Sequence, residues 1–152
     1  MIKVPLVEIC TENLQGLTVQ KPGDYDLFKD DYFEWRGTKL PVSFKDEQVF
    51  GGIMKTWHHL PMFQKLEYHE DYEKFIFLHG TALMPFADIE NGEIVKNSLR
   101  VVKIPAGTEL LIHPYKAHFM PVALGDEPVE IVVIAPEVPF IHVFSDEPFT
   151  YI

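Results

Sequence analysis

The sequence predicts an all-β domain, a sandwich or barrel assembled from short strands. Short apolar runs recur along the chain with turn residues between them, and that pattern is typical of these two architectures. Twelve prolines and nine glycines among 152 residues provide many turns, which favours short strands over long helices.

The length of the chain predicts one domain over 1–152. It is long enough for a substantial core and too short for two comfortable domains. Hydrophobic residues make up 47% and aromatic residues 13% of the chain, well above the content of a disordered protein. We expect an N-terminal strand and aromatic arm over 1–50, followed by the barrel over 51–145.

Charge and composition exclude several classes of partner. The formal net charge is −10, so neither a nucleic acid nor an anionic membrane is expected to bind. Cys10 is the only cysteine, which rules out an internal disulfide and a cysteine-based zinc site. The N-terminal apolar run is too short for a signal peptide, and no stretch approaches the length of a transmembrane helix. These features predict a cytoplasmic protein.

The first third of the chain is expected to be irregular. Residues 3–9 read as a strand, with Pro5 indicating an edge position. Thr11 can cap a single helical turn through residue 14. Residues 17–46 are rich in aromatic and acidic side chains without a helical period. They predict an arm around the domain, with its best strand at 33–36, that can also contact a second subunit.

The barrel strands are expected after Gly51-Gly52, which we interpret as a break before a strand that begins at Ile53. Glu90-Asn91-Gly92-Glu93 is typical of a hairpin turn. Further strands are predicted in the runs M-F-Q-K-L-E-Y-H-E, K-F-I-F-L, T-A-L-M-P-F-A-D-I, S-L-R-V-V-K-I, T-E-L-L-I, A-H-F-M-P-V-A-L, V-E-I-V-V-I-A and F-I-H-V-F. Phe75, Phe77 and Phe86 are predicted to fill the barrel interior.

One stretch of the chain contains the polar residues that suit a metal site or an acid–base site. L-E-Y-H-E-D-Y-E-K-F-I-F-L-H-G, residues 66–80, places Glu67, His69 and Glu73 ahead of an apolar run that ends in glycine. Glu67 and His69 share one face of an extended strand, and Glu73 shares it if the strand stays regular. Two carboxylates and an imidazole on one face suit a metal site or an acid–base site.

The spacing of this stretch resembles the first motif of the cupins, in which H-x-H, three or four residues, Glu, six residues and Gly follow one another. The chain has Glu67-x-His69, three residues, Glu73, six residues and Gly80, with glutamate in place of the first histidine. The resemblance implies a cupin β-barrel, which is a double-stranded β-helix of jelly-roll type, here with an irregular N-terminal arm.

A second run, I-H-P-Y-K-A-H at residues 112–118, resembles the second cupin motif. It places His118 at the motif histidine and Tyr115 where glycine is usual. Together the two motifs imply a divalent metal held by the four side chains Glu67, His69, Glu73 and His118. Zinc, nickel, manganese and iron all accept imidazole and carboxylate ligands.

Within the cupins, the chain is most similar to the ureidoglycolate lyase family. The similarity runs from the V-P-L-V-E start through L-E-Y-H, where that family has L-E-R-H, to H-P-Y-K-A-H. It places His113 and His118 at two histidines of the family. The similarity implies a carbon–nitrogen lyase acting on a small hydroxy acid or carbonyl compound, and a homodimer paired through N-terminal strands.

Catalysis without a metal is the alternative chemistry. Glu67 and Glu73 would then repel each other, and one of them would hold a proton. A carboxyl group with such a raised pKa can act as a general acid or base. We therefore predict Glu67 and Glu73 as catalytic residues, and the family resemblance implies His113 as a third.

Two other functions are compatible with the sequence. A non-catalytic cupin would bind a sugar or small metabolite in the same site, and a vestigial motif would leave the aromatic arm to serve an assembly. The sequence does not decide the roles of His58, His59, Arg100 and Lys116.

Overall fold

The structure is a computed structural model, and it describes residues 1–10, 14–45, 48–137 and 139–152. The helical turn predicted from Thr11 falls on residues 11–13, outside these ranges. The described residues form strands and one 3-10 turn, Lys96–Ser98, so the all-β prediction is confirmed. No helix within these ranges has the length and apolar character needed to cross a membrane.

The strands are short and follow one another closely. They are β1 (Ile2–Val4), β2 (Leu6–Glu8), β3 (Leu17–Gln20), β4 (Asp26–Lys29), β5 (Glu34–Gly37), β6 (Val49–Thr56), β7 (Phe63–Tyr68), β8 (Glu73–His79), β9 (Ala82–Ala87), β10 (Ile89–Glu90), β11 (Glu93–Ile94), β12 (Arg100–Ile104), β13 (Glu109–Ile112), β14 (Ala117–His118), β15 (Val122–Ala123), β16 (Val129–Pro136) and β17 (Ile141–Tyr151).

Two large sheets form the barrel. One has eight strands in the order β1-β17-β7-β14-β9-β12-β2, with β15 also paired to β9, and the other has five in the order β3-β13-β8-β16-β6. Strands adjacent in space are mostly distant in sequence. β1 to β3 and the end of β17 belong to these sheets, so the sheets extend beyond the predicted limits of 51–145.

The barrel interior is packed with apolar side chains from both sheets. Phe75 and Phe77 point inward from the five-stranded sheet and Phe86 from the eight-stranded sheet, each at most 3% exposed. This confirms their prediction as core residues. A second cluster around Leu66, Val101 and Phe149 is fully buried. Burial of these two clusters holds the sheets together and leaves one end of the interior for polar groups.

Strand β6 runs through Gly51 and Gly52, so the predicted break at these residues is wrong. Residues Val49 to Thr56 pair without interruption with Pro136 to Val129 of β16. Hydrogen bonds to β16 support the extended backbone that the glycines alone would not favour. The strand ends at Thr56, whereas the apolar run I-M-K-T-W-H-H-L predicted that it would continue to Leu60.

The strand predicted over 117–124 is divided. β14 and β15 each contribute two residues and pair separately with β9. Pro121 lies in the gap, where its missing N–H prevents a continuous ladder. The gap turns Phe119 and Met120 towards the interior site described below.

The N-terminal arm carries the hairpin β4–β5, whose second strand, Glu34–Gly37, overlaps the predicted strand at 33–36. Large side chains of this hairpin are exposed, Phe28 at 54% and Trp35 at 64%. The predicted turn at residues 90–93 is also present, since Asn91 and Gly92 have φ angles of 53° and 79° between β10 and β11.

Candidate metal centre

The two sheets bring the four predicted ligands to one place. Glu67 on β7 and His118 on β14 are directly opposite each other in register. His69 follows β7, whereas Glu73 begins β8 in the five-stranded sheet. All four residues are buried, with exposed fractions between 2% and 8%.

A tight turn, not a regular strand, explains how Glu73 arrives there. The carboxylate of Asp71, 3% exposed, accepts hydrogen bonds from the N–H of Tyr72 at 2.7 Å and of Lys45 at 2.9 Å. The chain thereby crosses from one sheet to the other between Tyr68 and Glu73. The strand does not stay regular past Asp71, yet the side chains of Glu67, His69 and Glu73 converge.

The ligating atoms face one another across a small space. The Nε2 of His69 lies 4.0 Å from Oε1 of Glu67 and directly against Oε1 of Glu73. The other oxygen of Glu73 lies 3.6 Å from Nε2 of His118. One ligating atom each from Glu67, His69 and His118 lies within 4.8 Å of the others. Glu73 thus bridges both imidazoles.

Backbone carbonyls determine which imidazole nitrogen faces the site. The Nδ1 of His69 lies 3.3 Å from the carbonyl oxygen of Pro139, and the Nδ1 of His118 lies 2.9 Å from that of Lys116. A carbonyl only accepts hydrogen bonds, so each Nδ1 carries a proton. In the neutral ring the lone pair is then on Nε2, directed at the carboxylates. Metal-binding histidines are commonly held in this way.

These residues fit a divalent cation. Neither Nε2 has a hydrogen bond of good geometry among the described residues, although both are buried next to carboxylate oxygens. Buried polar atoms without partners are rare and costly, and a cation would satisfy the nitrogens and the oxygens together. Ligands about 2.1 Å from one ion are at most about 4.2 Å apart, so binding requires a small contraction.

Two imidazoles determine the charge state of Glu73. Burial alone would raise its pKa, but interactions with His118 and His69 outweigh burial and lower the pKa to about 2. Glu73 is therefore not the carboxyl group with the raised pKa that repulsion between the two glutamates predicted. Burial likewise opposes a charge on His69, yet Glu73 raises the pKa of this imidazole above its usual value.

A cavity of about 360 Å³ opens above the four side chains. Glu67, Glu73 and His118 form part of its wall, and the remainder is mostly apolar. The ring of Phe140 packs edge-on against His69, with ring centroids 5.0 Å apart. A small molecule in this cavity would therefore contact the candidate ligands directly.

Comparison with known proteins identifies the architecture. No protein-family model and no curated protein matches the sequence. The structure is similar to a dTDP-sugar isomerase from Desulfovibrio desulfuricans G20, with a TM-score of 0.56 and 12% identity over 86% of this chain and 84% of that chain. It is also similar to RmlC from Streptococcus suis, solved with dTDP-D-xylose, with a TM-score of 0.54 and 14% identity over 82% of this chain.

Both likenesses are to proteins of the cupin RmlC-like fold, and the nearly closed, barrel-like arrangement of sheets described above agrees with that fold. The chain has the cupin fold. It spans 66% of the length of the Streptococcus suis protein. A weaker likeness, with a TM-score of 0.46, covers 23% of the oxalate decarboxylase of Bacillus subtilis. Identities this low concern the fold alone, and no similarity to ureidoglycolate lyases is shown.

The turn of the second cupin motif holds His69 in place. Tyr115, which stands where glycine is usual, adopts a φ of 67°. This left-handed conformation costs a non-glycine residue roughly 1 kcal/mol or more. The N–H of Tyr115 donates to the carbonyl oxygen of His69 at 2.9 Å, and its ring lies 6.0 Å from that of Tyr68. These contacts tie the turn to the first motif.

His113 is not brought to the cavity. Its Nε2 lies 2.7 Å from Oγ1 of Thr18, and its ring packs against Tyr72 at 5.3 Å. It is absent from the described residues that line the cavity. Its predicted catalytic role therefore receives no support from its position.

Four other polar residues lie away from the cavity. Lys116 is buried at 7% exposure and its Nζ lies 2.6 Å from Oδ1 of Asp88. Arg100 donates to the carbonyl oxygens of residues 97 and 99. His58 contacts the carbonyl oxygen of residue 123, and His59 is exposed. None of these four is among the described residues around the cavity.

The sequence did not indicate two neighbours of the site. His142 is paired in register with Glu67, and its Nε2 lies 3.6 Å from the glutamate Oε2. Phe140 covers His69. The alternation of side chains on β17 is visible in the sequence, but the register that places His142 beside Glu67 depends on the pairing of residues 75 positions apart.

Proposed function

We propose that the chain is a cupin enzyme that uses a divalent metal to act on a small molecule in the 360 Å³ cavity. One observation carries the proposal. The imidazoles of His69 and His118 are both anchored at Nδ1 by backbone carbonyls and both present Nε2 to buried carboxylates. Side-chain packing alone would not require this shared orientation.

The metal would be held by Glu67, His69 and His118, with Glu73 between the two imidazoles. When bound, a divalent ion polarises an oxygen atom of the substrate as a Lewis acid. Two imidazoles with carboxylates suit zinc, nickel, manganese and iron alike. Two negative charges from the glutamates balance the charge of the ion.

In this proposal, Glu67 is the residue that accepts and releases protons. With a pKa of about 2, Glu73 is ionised at neutral pH and is too weak a base to exchange protons efficiently. The Oε2 atom of Glu67 lies 3.6 Å from Nε2 of His142, whose side chain is 42% exposed. A proton taken up at Glu67 can pass to His142 and then to solvent.

A carbon–nitrogen lyase reaction on ureidoglycolate is the narrower form that the motif resemblance supports. The geometry supports it less well. Lys116, a candidate for holding the substrate carboxylate, is paired with Asp88, so that carboxylate would depend on the metal for its opposite charge. Release of urea from ureidoglycolate by the metal-loaded protein is the direct assay. A blank result removes this substrate and leaves the metal site intact.

Calorimetric titration tests the metal site. Chelator-treated protein should bind one manganese or zinc ion per chain, and His118→Ala should weaken the affinity by at least about 100-fold. His59→Ala, which removes an exposed histidine outside the cavity, is the matched control and should leave the affinity unchanged. Absence of binding, or equal binding by both variants, would overturn the proposal. A metal-binding chain without turnover on any small molecule would be a non-catalytic cupin.

A homodimer is part of the proposal. The hairpin β4–β5 exposes apolar side chains that a second subunit would cover, Phe28 at 54% and Trp35 at 64%. Light scattering should give a mass near twice that of one chain, and Trp35→Glu should shift the mass towards the monomer. A monomeric wild-type protein at micromolar concentration would contradict this assignment.

A further inference from the structure

We propose that the cavity binds a compact, mainly apolar and uncharged molecule with one oxygen-donor group, and that Gly52 determines how large this molecule can be. The inference rests on the proposed function, because it assigns a substrate class to that site. It departs from the hydroxy acid that the motif resemblance implies. Release of urea from ureidoglycolate would therefore count against it.

The cavity wall is apolar where a substrate would extend away from the metal ligands. Met54 of β6, Phe75 of β8 and Val133 of β16 line the cavity from the five-stranded sheet. Phe119 and Phe140 line it as well. A hydroxyl-rich ligand would leave its hydroxyl groups without partners against these side chains, at a cost of roughly 1–3 kcal/mol for each buried group.

The charges around the cavity select against anions. Among its described lining residues the ionisable ones are Glu67, Glu73, Glu137 and His118, with neither lysine nor arginine. A phosphate or a free carboxylate would meet three glutamates and no cationic side chain. A bound metal would accept an oxygen-donor group, so a neutral oxygen head with an apolar body fits both parts of the cavity.

Gly52 opens one wall of this cavity. It is opposite Val133 in the β6–β16 ladder and shares a strand face with Phe50 and Met54, which also line the cavity. A Cβ built at Gly52 meets no atom within 4 Å. Because its φ lies outside the left-handed range, backbone conformation does not demand glycine here, and a side chain would project into open space.

The volume indicates the size of the ligand. About 360 Å³ lies near the lower end of the roughly 300–1,000 Å³ seen for small-molecule sites. One aromatic or aliphatic ring with a short polar head fills such a space. A leucine at residue 52 would occupy part of the room for the ring, and its Cβ would meet none of the four candidate ligands within 4 Å.

The first arm of the test uses metal-free protein and needs no catalytic activity. Saturation-transfer NMR should detect binding of neutral benzamide, and show little or no binding of benzoate or glucose. Gly52→Leu should remove the benzamide signal. Gly51→Leu is the matched control. The backbone of Gly51 also lines the cavity, but alternation along β6 directs its Cβ to the other face, 3.7 Å from the carbonyl oxygen of Val133, so this variant should retain the signal.

The second arm uses manganese-loaded protein and two hydroxamates with the same metal-binding head. Benzohydroxamate should bind at least about tenfold more tightly than acetohydroxamate, because the ring buries additional apolar surface. Gly52→Leu should reduce this preference to about twofold or less while manganese affinity stays unchanged. Gly51→Leu should keep the preference.

The outcomes separate this inference from the proposed function. Binding of benzamide that depends on Gly52 in a protein that binds no metal supports the apolar site and overturns the metal-dependent enzyme. If the protein binds metal but binds the two hydroxamates equally, the apolar substrate class is overturned and the metal site is retained. The same holds if it binds metal and prefers benzoate or glucose to benzamide. A Gly52→Leu protein that binds benzamide like the wild type overturns the role of Gly52.

Discussion

At the scale of single residues, His69 and His118 decide the chemistry of the site. Each ring donates its Nδ1 proton to a carbonyl oxygen, so its Nε2 can hold either a proton or a metal. Glu73 lies beside both rings and favours a positive charge at this point. Proton and metal therefore compete for the same nitrogen atoms.

This competition predicts the pH dependence of stability of the metal-free protein. The pKa of Glu73 falls from 4.5 to about 2 on folding, so its contribution, on the order of 3 kcal/mol, is present above pH 4.5 and is lost as the pH falls towards 2. The pKa of His69 rises from 6.5, so its contribution is present below pH 6.5 and is lost as the pH rises through the raised pKa.

The midpoint of thermal unfolding between pH 6 and pH 8.5 measures the contribution of His69. Chelator-treated protein should unfold at a lower temperature at pH 8.5 than at pH 6, and added zinc should remove or reverse that difference. Metal-free protein that is more stable at pH 8.5, or that does not respond to zinc at pH 8.5, would contradict the assigned competition.

Gly80, the last residue of the first cupin motif, provides a second residue-scale prediction. Its φ is 75°, and a Cβ there would lie 2.5 Å from the carbonyl oxygen of Pro128. Gly80→Ala should lower the free energy of unfolding by at least about 2 kcal/mol through conformational strain and steric overlap. Denaturant titration is the measurement.

Gly23→Ala is the matched control for this substitution. Gly23 has a similar φ of 81°, but a Cβ there meets nothing within 4 Å. The control should cost only the conformational part, about 1 kcal/mol. Equal losses for the two variants would show that the contact with Pro128 does not matter.

The site residues were predictable from the sequence where local spacing determines them. The spacing from Glu67 to Gly80 and the turn before His118 indicated the four candidate ligands before any strand pairing was known. Glu73 lies beside the other candidate ligands, as the motif spacing indicated. A turn at Asp71 brings it there, not a regular strand. The low pKa of Glu73 could not be predicted, since it depends on the approach of His118 from a distant strand.

At the scale of elements, the N-terminal arm is fastened to the five-stranded sheet by a buried ion pair. Lys74 of β8 and Glu109 of β13 are 5% and 8% exposed, and their charged groups lie 3.2 Å apart. The same ammonium group donates to Oγ1 of Thr38 at 3.1 Å and to the carbonyl oxygen of Leu40 at 2.9 Å. One lysine thus links the arm to two strands.

Lys74→Met should lower the free energy of unfolding by roughly 3–5 kcal/mol, because it leaves the Glu109 carboxylate buried without its opposite charge. Lys55→Met is the matched control. Lys55 and Glu130 are 3.7 Å apart at 47% and 41% side-chain exposure, so losing that pair should cost at most about 1 kcal/mol. Comparable losses in denaturant titrations of the two variants would refute the structural role of Lys74.

Element boundaries were predicted well where turn chemistry is local. The Asn91-Gly92 hairpin and the turn at Gly80 follow from residues that tolerate positive φ. The prediction of a strand break at Gly51-Gly52 was wrong. Glycine pairs often end strands, but here hydrogen bonds to β16 keep the backbone extended. That the missing side chain leaves space beside a cavity can be recognised only when the residues facing it are known.

At the scale of the whole molecule, strand number and turn frequency were sufficient to predict an all-β fold, and the two motifs indicated a cupin. Sheet order was not predictable, because β1 pairs with β17 and β3 with β13 across most of the chain. Those pairings depend on the complementarity of buried faces rather than on local sequence. They also place β17, which contains His142 and directly follows Phe140, next to the site.

Anomalous X-ray diffraction tests the central claim most directly. Crystals grown with manganese or zinc should show one anomalous peak in the space between Glu67, His69 and His118, about 2.0–2.3 Å from both Nε2 atoms. The same peak should be absent from crystals of His118→Ala grown under the same conditions. A peak at surface carboxylates only would contradict the assignment of this site to a divalent metal. A water molecule refined at this position, in crystals grown with saturating metal, would contradict it as well.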